Sequence, residues 1–511
     1  MKKNLFRLVS LTLVLLMLLG CFASCSKKEE EPSGVSTDGG SASETGGEAD
    51  QFNPGDINFG GYDYKMLVES NTYRYCLHVY EGEGMPSAVT DLALWKREAT
   101  MKENYGVNLV MNNRGTEAPT IAKTAILGGE NIADVLMLRG HKTMEMAIEG
   151  LYFNVNELPH LNLKAEYWDQ RIQQEYLIGD KLLCIDGDYT FAGSLATHVV
   201  IYNDTMYNDL GYYTKYGTPY ELVSEGKWTI DMMYEMMANT SADLNGDQVM
   251  DENDSWGYIG ERGMPYAFLL GSGKKALSTN NGSLTLNMQN DSEWETMLNI
   301  IAKMVNVGQS DDCIVADRDI KGDNVWGVAT DMFKLDRALF RSTSLTAVMD
   351  LVDMKSDYGI LPIPKYNEDQ DGYYCMMSAG LHYPMSFPIT MGDVNKGAQI
   401  SEILCYTSRY GGDSLYNAFF DLMAYARLCR TENDVDMLKL VFANKVYDLD
   451  TALIVTNLIY VLRDAMGLWS DANSVNGKVV TKYTAAYKST VKTKMQDIVT
   501  QIETNTQPVP S

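Results

Sequence analysis

Histidine is scarce in this chain, with five in 511 residues. His78, His141, His160, His198 and His382 include no pair at the helical spacing that presents two imidazoles to one metal ion. The motif H-E-x-x-H does not occur, and neither does G-x-S-x-G. Gly273-Lys274-Lys275 lacks the earlier glycine and the hydroxyl residue of a phosphate-binding loop, and Gly82-x-Gly84 lacks the third glycine of a dinucleotide turn. These gaps remove the signatures of zinc proteases, serine hydrolases, nucleotide hydrolases and dinucleotide enzymes, so the expectation is a protein that is not an enzyme. A glycosidase dyad is the one chemistry left open, because two of the 68 acids need only meet in space. Six cysteines beyond residue 25 (Cys76, Cys184, Cys313, Cys375, Cys405 and Cys429) form no C-x-x-C pair, which points to small buried thiols rather than a zinc site or a disulfide scaffold. Basic residues are outnumbered 42 to 68, for a net charge of −26. Phosphate backbones demand Lys and Arg, so nucleic acid is excluded as a partner. Beyond residue 25 no apolar run approaches the ~18 residues that span a bilayer.

What is present begins at the N-terminus. Lys2, Lys3 and Arg7 precede an apolar run from Leu8 to Leu19, the n-region and h-region of a signal peptide. Small residues then lead into cysteine twice, at Gly20-Cys21 and at Ala23-Ser24-Cys25. This resembles the lipobox of bacterial lipoproteins, in which the cysteine is acylated and becomes the mature N-terminus. Cys25 is the expected site because a polar stretch follows it at once; Cys21 is the alternative. Residues 26–51 are mostly Lys, Glu, Ser, Gly, Thr and Pro, too polar to offset the entropy of ordering, and read as a flexible leash. The expected location is the extracellular face of the cell membrane, held by lipid.

The body, 52–511, is long enough for two lobes. Asp63–Glu69 reads as a strand, 87–105 as a helix ending at Gly106, 107–110 as a strand, 118–127 as a helix and 133–138 as a buried strand. This β-α-β-α-β order argues for a mostly parallel sheet covered by helices. Further strands are expected at 198–202 and 359–362, helices at 229–239 and 291–307, and mainly helix after residue 399.

In order along the chain stand Asp134-Val-Leu-Met-Leu, Gly150-Leu-Tyr-Phe-Asn-Val-Asn-Glu-Leu-Pro159, Tyr167-Trp168-Asp169, Ile178-Gly-Asp-Lys-Leu182, Val200-Ile-Tyr-Asn203, Gly226-Lys-Trp-Thr229 and Tyr358-Gly-Ile-Leu-Pro-Ile-Pro364. Their succession resembles the extracellular solute-binding lipoproteins of bacterial ABC importers, family 1, sugar-type. The resemblance implies an α/β, two-lobe periplasmic-binding-protein-like fold of type II, as in maltose-binding proteins, with a hinge, an interlobe cleft and a helical C-terminal region. Lobe 1 would hold about 52–195 and 342–380, and lobe 2 about 196–341 and 381–511, with crossings near 190–200, 335–345 and 375–385. It also implies capture of a small solute, a mono- or oligosaccharide, by hinge closure and its delivery to the membrane subunits of an ABC permease. A surface glycan adhesin or sensor without a permease is the alternative, and an extracellular glycan hydrolase a more distant one.

One local motif carries its own chemistry. Asp243, Asn245, Asp247, Val249 (through its carbonyl), Asp251 and Asp254 fall at positions 1, 3, 5, 7, 9 and 12 of an EF-hand-type loop, the oxygen spacing a calcium ion needs. It resembles the calcium loops of dockerins, although Gln248 stands where glycine usually makes the turn. A structural Ca²⁺ is the expected cofactor. Trp228, ahead of Thr229 as N-cap, is expected to pack in the core. Ligand contacts are sought beyond the carboxyl ends of strands. Arg139 and His141 follow the 133–138 strand, Asp188 and Tyr189 precede the first crossing, and Arg341 lies near the second. Tyr266, in Met264-Pro265-Tyr266, stands where maltose-binding proteins have a Glu-Pro-Tyr segment whose tyrosine stacks on sugar; Met264 replaces the acid.

Overall fold

The strand at Tyr62–Val68 turns Tyr64, Met66, Leu67 and Val68 inward, each at most 3% exposed. One such strand cannot cover its own apolar face, and two sheets gather such strands. The structure, a computed structural model, describes residues 54–69, 78–287, 291–460, 462–463 and 485–510. The signal peptide, Cys21, Cys25, the leash 26–51 and Cys76 lie outside the described residues. The sheet strands are β1 (Tyr62–Val68), β2 (Val107–Asn113), β3 (Val135–Met137), β4 (His198–Asn203), β5 (Trp256–Gly260), β6 (Cys313–Val315), β7 (Ala338–Ser344), β8 (Tyr358–Leu361) and β9 (Met385–Ser386).

The first sheet has the order β9-β3-β1-β2, with β1 parallel to both neighbours and only the short edge β9 antiparallel. The expected β-α-β-α-β unit is there. The first helix runs Val89–Tyr105, and Gly106 ends it at φ +64°, where glycine carries no steric penalty. The next helix is Ala118–Leu127. The second sheet, β8-β4-β7-β5-β6, is mixed, because β4 runs antiparallel to β7 and β8 while β5 is parallel to β6 and β7. The chain enters this sheet through β4 after leaving the first, which reverses that strand.

The topology corrects the expected division of the lobes. β7 sits inside the second sheet between β4 and β5, so no crossing occurs at 335–345. β8 pairs with β4, so 342–361 belongs with the second sheet rather than with lobe 1. β9 pairs with β3, so the chain is back in the first sheet by residue 385, where lobe 2 was expected. Sequence order gave no warning, because strand partners are chosen across loops. The buried apolar residues of both sheets form one connected cluster.

Trp228 is fully buried; its indole N–H donates to the Pro362 carbonyl at 2.9 Å, and Thr229 caps the helix Ile230–Met237 as expected. Cys184, Cys313, Cys375 and Cys405 are buried free thiols, and Cys429 is half-buried. After residue 393 the described chain is mainly helical, including Val394–Arg409, Glu432–Ala443 and Ala485–Asn505. Among the described residues no helix is long and apolar enough to cross a membrane.

Candidate functional site

Three strands point their carboxyl ends at one cavity of about 290 Å³. Beyond β3 comes His141, beyond β5 Glu261 and Met264, and beyond β6 Asp317. The crossing segment Met376–Gly380 supplies the floor, and Thr451, Ile459, Tyr460 and Arg463 close it from the C-terminal region. Open α/β sheets bind ligands at such strand ends, where backbone and first-turn side chains converge without disturbing the core.

Two aromatic residues stand in this cavity with much of their surface uncovered, Trp326 at 48% and Tyr460 at 45% exposed. Trp326 opens the helix Val325–Lys334, whose other face (Ala329, Met332, Phe333) is buried. Large apolar rings left in solvent beside polar groups are suited to the C–H faces of a sugar ring.

The polar groups are ordered by ion pairs. The Arg262 Nε lies 3.1 Å and the Arg463 Nη2 3.5 Å from Asp317 Oδ2, and the Arg262 backbone N–H donates to Oδ1 at 2.8 Å. Burial pushes the Glu261 carboxyl up to about 7, an effect the Arg341 guanidinium behind it partly offsets. Burial lowers the pKa of His141, so its imidazole is neutral at physiological pH; its Nδ1 lies 3.4 Å from the Ala379 carbonyl. His198, at the start of β4, lines the same cavity and is held down to about 4 by burial.

Of the ligand residues expected from sequence, the structure brings His141 to the cavity and places the others elsewhere. Arg139 donates its backbone N–H to Glu69 at 2.9 Å and pairs its guanidinium with the same carboxylate at 2.5 Å, Glu69 being 1% exposed; it pins β1 to the turn after β3. Arg341 is 1% exposed and donates to Thr330 Oγ1 at 2.9 Å, acting on the cavity only through Glu261. Tyr266 is buried in a helix, Met264–Gly271, with no exposed face, and its hydroxyl donates to Asp448 at 2.9 Å, so its ring cannot stack on a ligand. Tyr189 is 1% exposed, with its hydroxyl on the Tyr383 carbonyl at 3.1 Å. Asp188 pairs with Arg409 at 3.2 Å in a different cavity. Glu261 and Asp317 escaped the sequence reading although both directly follow strands, the same position that singled out Arg139 and His141. Nothing local marks Trp326 or Tyr460 apart from other aromatics.

The loop 243–254 folds on its own carboxylates. Asp243 accepts from the N–H groups of Gly246 and Gln248 at 2.6 and 2.9 Å, Asn245 from Asp247 at 2.8 Å, and Asp247 from Val249 at 2.8 Å. The buried Asp254 closes the loop by accepting from Leu244 and Asp251, both at 2.9 Å. Those donors, that of Asp251 first, hold its carboxyl below the usual range. Gln248 takes φ +66°, the left-handed turn normally left to glycine. Among the described residues no three carboxylate, imidazole or thiol groups are gathered to hold a metal ion.

No protein-family model matches the chain, and no curated protein matches it in sequence. Its fold is that of solved sugar-type ABC solute-binding proteins. The ABC substrate-binding protein Lmo0181 from Listeria monocytogenes, in complex with cycloalternan, superposes with a TM-score of 0.54 at 12% identity, covering 85% of this chain and 99% of that one. A cyclo/maltodextrin-binding protein complexed with maltotetraose gives 0.52 at 12% identity, covering 87% and 98%. The maltose/maltodextrin-binding domain MalE from Bdellovibrio bacteriovorus, bound to maltotriose, gives 0.50 at 14% identity, covering 86% and 100%. At these identities the likeness establishes the two-lobe α/β fold.

Proposed function

We propose that this chain is a lipid-anchored extracellular solute-binding protein that captures a mono- or oligosaccharide in the cavity between Trp326 and Tyr460 and delivers it to an ABC permease. The observation that carries this reading is the pair of exposed rings beside His141, Glu261, Asp317 and Arg463, at the strand ends of a fold whose solved relatives hold maltotriose, maltotetraose and cycloalternan. The rings cover C–H faces, and the fixed carboxylate–guanidinium groups serve hydroxyls. Closure of the lobes would exclude water and present one surface to the transporter.

The test is a thermal-shift and calorimetric screen of the full-length protein against mono- and oligosaccharides, with amino acids and peptides as controls. A sugar at 100 times its Kd adds about 2.7 kcal/mol. Saturable binding of a sugar that is recovered intact supports the reading. Breakdown of the sugar would replace it with a hydrolase working through Glu261 and Asp317. Binding of amino acids or peptides alone would remove the sugar assignment.

Anchoring rests on the residues around Cys25. Mass spectrometry of the N-terminal peptide from native membranes is expected to find an acylated cysteine at position 25, or at 21; an unmodified N-terminus there would end that part of the proposal.

A further inference from the structure

A second cavity, of about 120 Å³, lies away from the sugar cleft, where the chain leaves the first sheet for β4. It brings four carboxylates, Glu166, Asp169, Asp186 and Asp188, to one place, and among the described residues only Lys445 and Arg409 oppose them. Lys445 is committed to Asp169 at 2.7 Å, and Arg409 is divided between Asp188 at 3.2 Å and Glu166 at 3.0 Å. Arg171 turns away onto the carbonyls of Phe442 and Ala443. Glu166 is itself largely exposed, so Asp169, Asp186 and Asp188 face two cations and one negative charge is left uncompensated in a largely buried place, which is costly unless something positive enters or a proton binds.

Among the described residues, two acceptors lining this space have no donor. Ser194 is 8% exposed and lines the cavity, and its hydroxyl has no partner; Asp188 receives Arg409 on Oδ2 and nothing on Oδ1. Asp186, 4% exposed, takes the Tyr447 hydroxyl at 3.1 Å on Oδ2 and the Gly187 N–H at 3.0 Å on Oδ1. The room beside it depends on glycine, since a Cβ on Gly193 would stand 2.7 Å from Asp186 Oδ2.

We propose that this cavity is a second binding site, independent of the sugar cleft, for one small primary ammonium ion. A metal ion needs several oxygens converging at one short distance, and no three carboxylate, imidazole or thiol groups among the described residues do so. An –NH₃⁺ group carries a single charge and three donors, one for each of Asp188, Asp186 and Ser194 around the cavity. Half-buried Phe420 offers an apolar wall to a short carbon stem. The volume, about four waters' worth at ~30 Å³ each, limits the ligand to roughly the size of ethanolammonium.

The site carries a titration signature. Burial first, and the neighbouring carboxylates after it, push Asp186 up to about 6; burial likewise pushes Asp188 up to about 7 against the pull of Arg409 and Lys445. The Tyr447 hydroxyl and the buried Cys405 thiol, which also face these groups, are both raised by burial and stay neutral. A raised carboxyl contributes stability below its unfolded value that is lost as pH climbs through its folded value. The unliganded protein should therefore lose stability progressively from about pH 4, the unfolded carboxyl value, to about pH 7, and a bound ammonium should restore it at the upper end of that window.

The experiment titrates full-length protein with ethanolammonium and methylammonium chloride, with potassium and calcium chloride as controls, by calorimetry and thermal shift above and below that window. One saturable site is expected for ethanolammonium above pH 7, weakening about tenfold per pH unit as the Asp188 carboxyl takes up its proton below that value. Asp188→Asn is expected to abolish binding while melting no lower than wild type above pH 7. Gly193→Ala should also block it. Calcium binding tighter than ethanolammonium, an equal response to potassium, undiminished binding in both variants, or no saturable binding would each overturn the assignment.

Discussion

Replacing Trp326 by alanine is expected to weaken sugar binding about tenfold, and replacing Tyr460 as well to bring the loss to roughly a hundredfold. Both residues line the cavity and are nearly half exposed, so a ligand stacked on either ring would bury apolar area without removing the ring from any packed core. A stacked aromatic contributes about 0.5–1.5 kcal/mol beyond its area burial, and the area itself adds a similar amount. Because both residues are substantially exposed, truncation should change folding stability by less than about 1 kcal/mol. Affinity and stability therefore separate cleanly. If both rings clamp one sugar unit, the double variant will fall short of the product of the singles; if they hold different units, the effects will multiply. Trp326→Tyr keeps a stacking face and should recover most of the affinity. Calorimetry on Trp326→Ala, Tyr460→Ala, the double variant and Trp326→Tyr with the sugar found by screening decides the matter, and unchanged affinity in the double variant would move the ligand out of this cavity.

Periodicity and the order of motifs made the local units legible. Helices at 89–105 and 118–127 and the strand after Gly106 stand where residue patterns put them, because those elements are decided by neighbours a few residues away. The partnership of strands was not legible. Whether β8 joins β4, or β9 joins β3, depends on contacts more than a hundred residues apart for which the chain carries no local mark. The site was read in part for the same reason. Strand-end logic reached His141, and applied to β5 and β6 it would have reached Glu261 and Asp317. Tyr266 was reached by likeness of placement to a Glu-Pro-Tyr segment, and such a likeness says nothing about whether a ring faces a cleft or, as here, the buried Asp448. The calcium-like spacing at 243–254 marks a turn as much as a ligand set, because side-chain oxygens at alternate positions also cap backbone N–H groups.

Glu402→Ala is expected to be the most destabilising single change in the helix Val394–Arg409, at about 3–5 kcal/mol. Its carboxylate is fully buried and accepts from the Tyr167 hydroxyl, from the Trp168 indole N–H at 2.9 Å and from the Asn162 backbone N–H at 3.1 Å. One side chain thus satisfies three donors from the segment that carries Tyr167-Trp168-Asp169, two of them on rings at most 2% exposed. Alanine would leave all three without a protein acceptor and open a void, two costs that add. With an unfolding entropy of roughly 1 kcal/mol per degree for a body this size, the melting temperature should fall by about 3–5 °C. Glu402→Gln keeps the volume and one oxygen but turns an amide N–H toward a donor, so its loss should be intermediate. Burial raises the Glu402 carboxyl against the pull of these donors, so wild-type stability at this site is greatest in acid and declines as pH rises through the raised value. The gap between wild type and Glu402→Ala should therefore narrow from acid toward neutral pH. Denaturant unfolding at both ends of that range measures it, and a gap that widens toward neutral pH would mean that the carboxylate gains more from its three donors than it loses by burial.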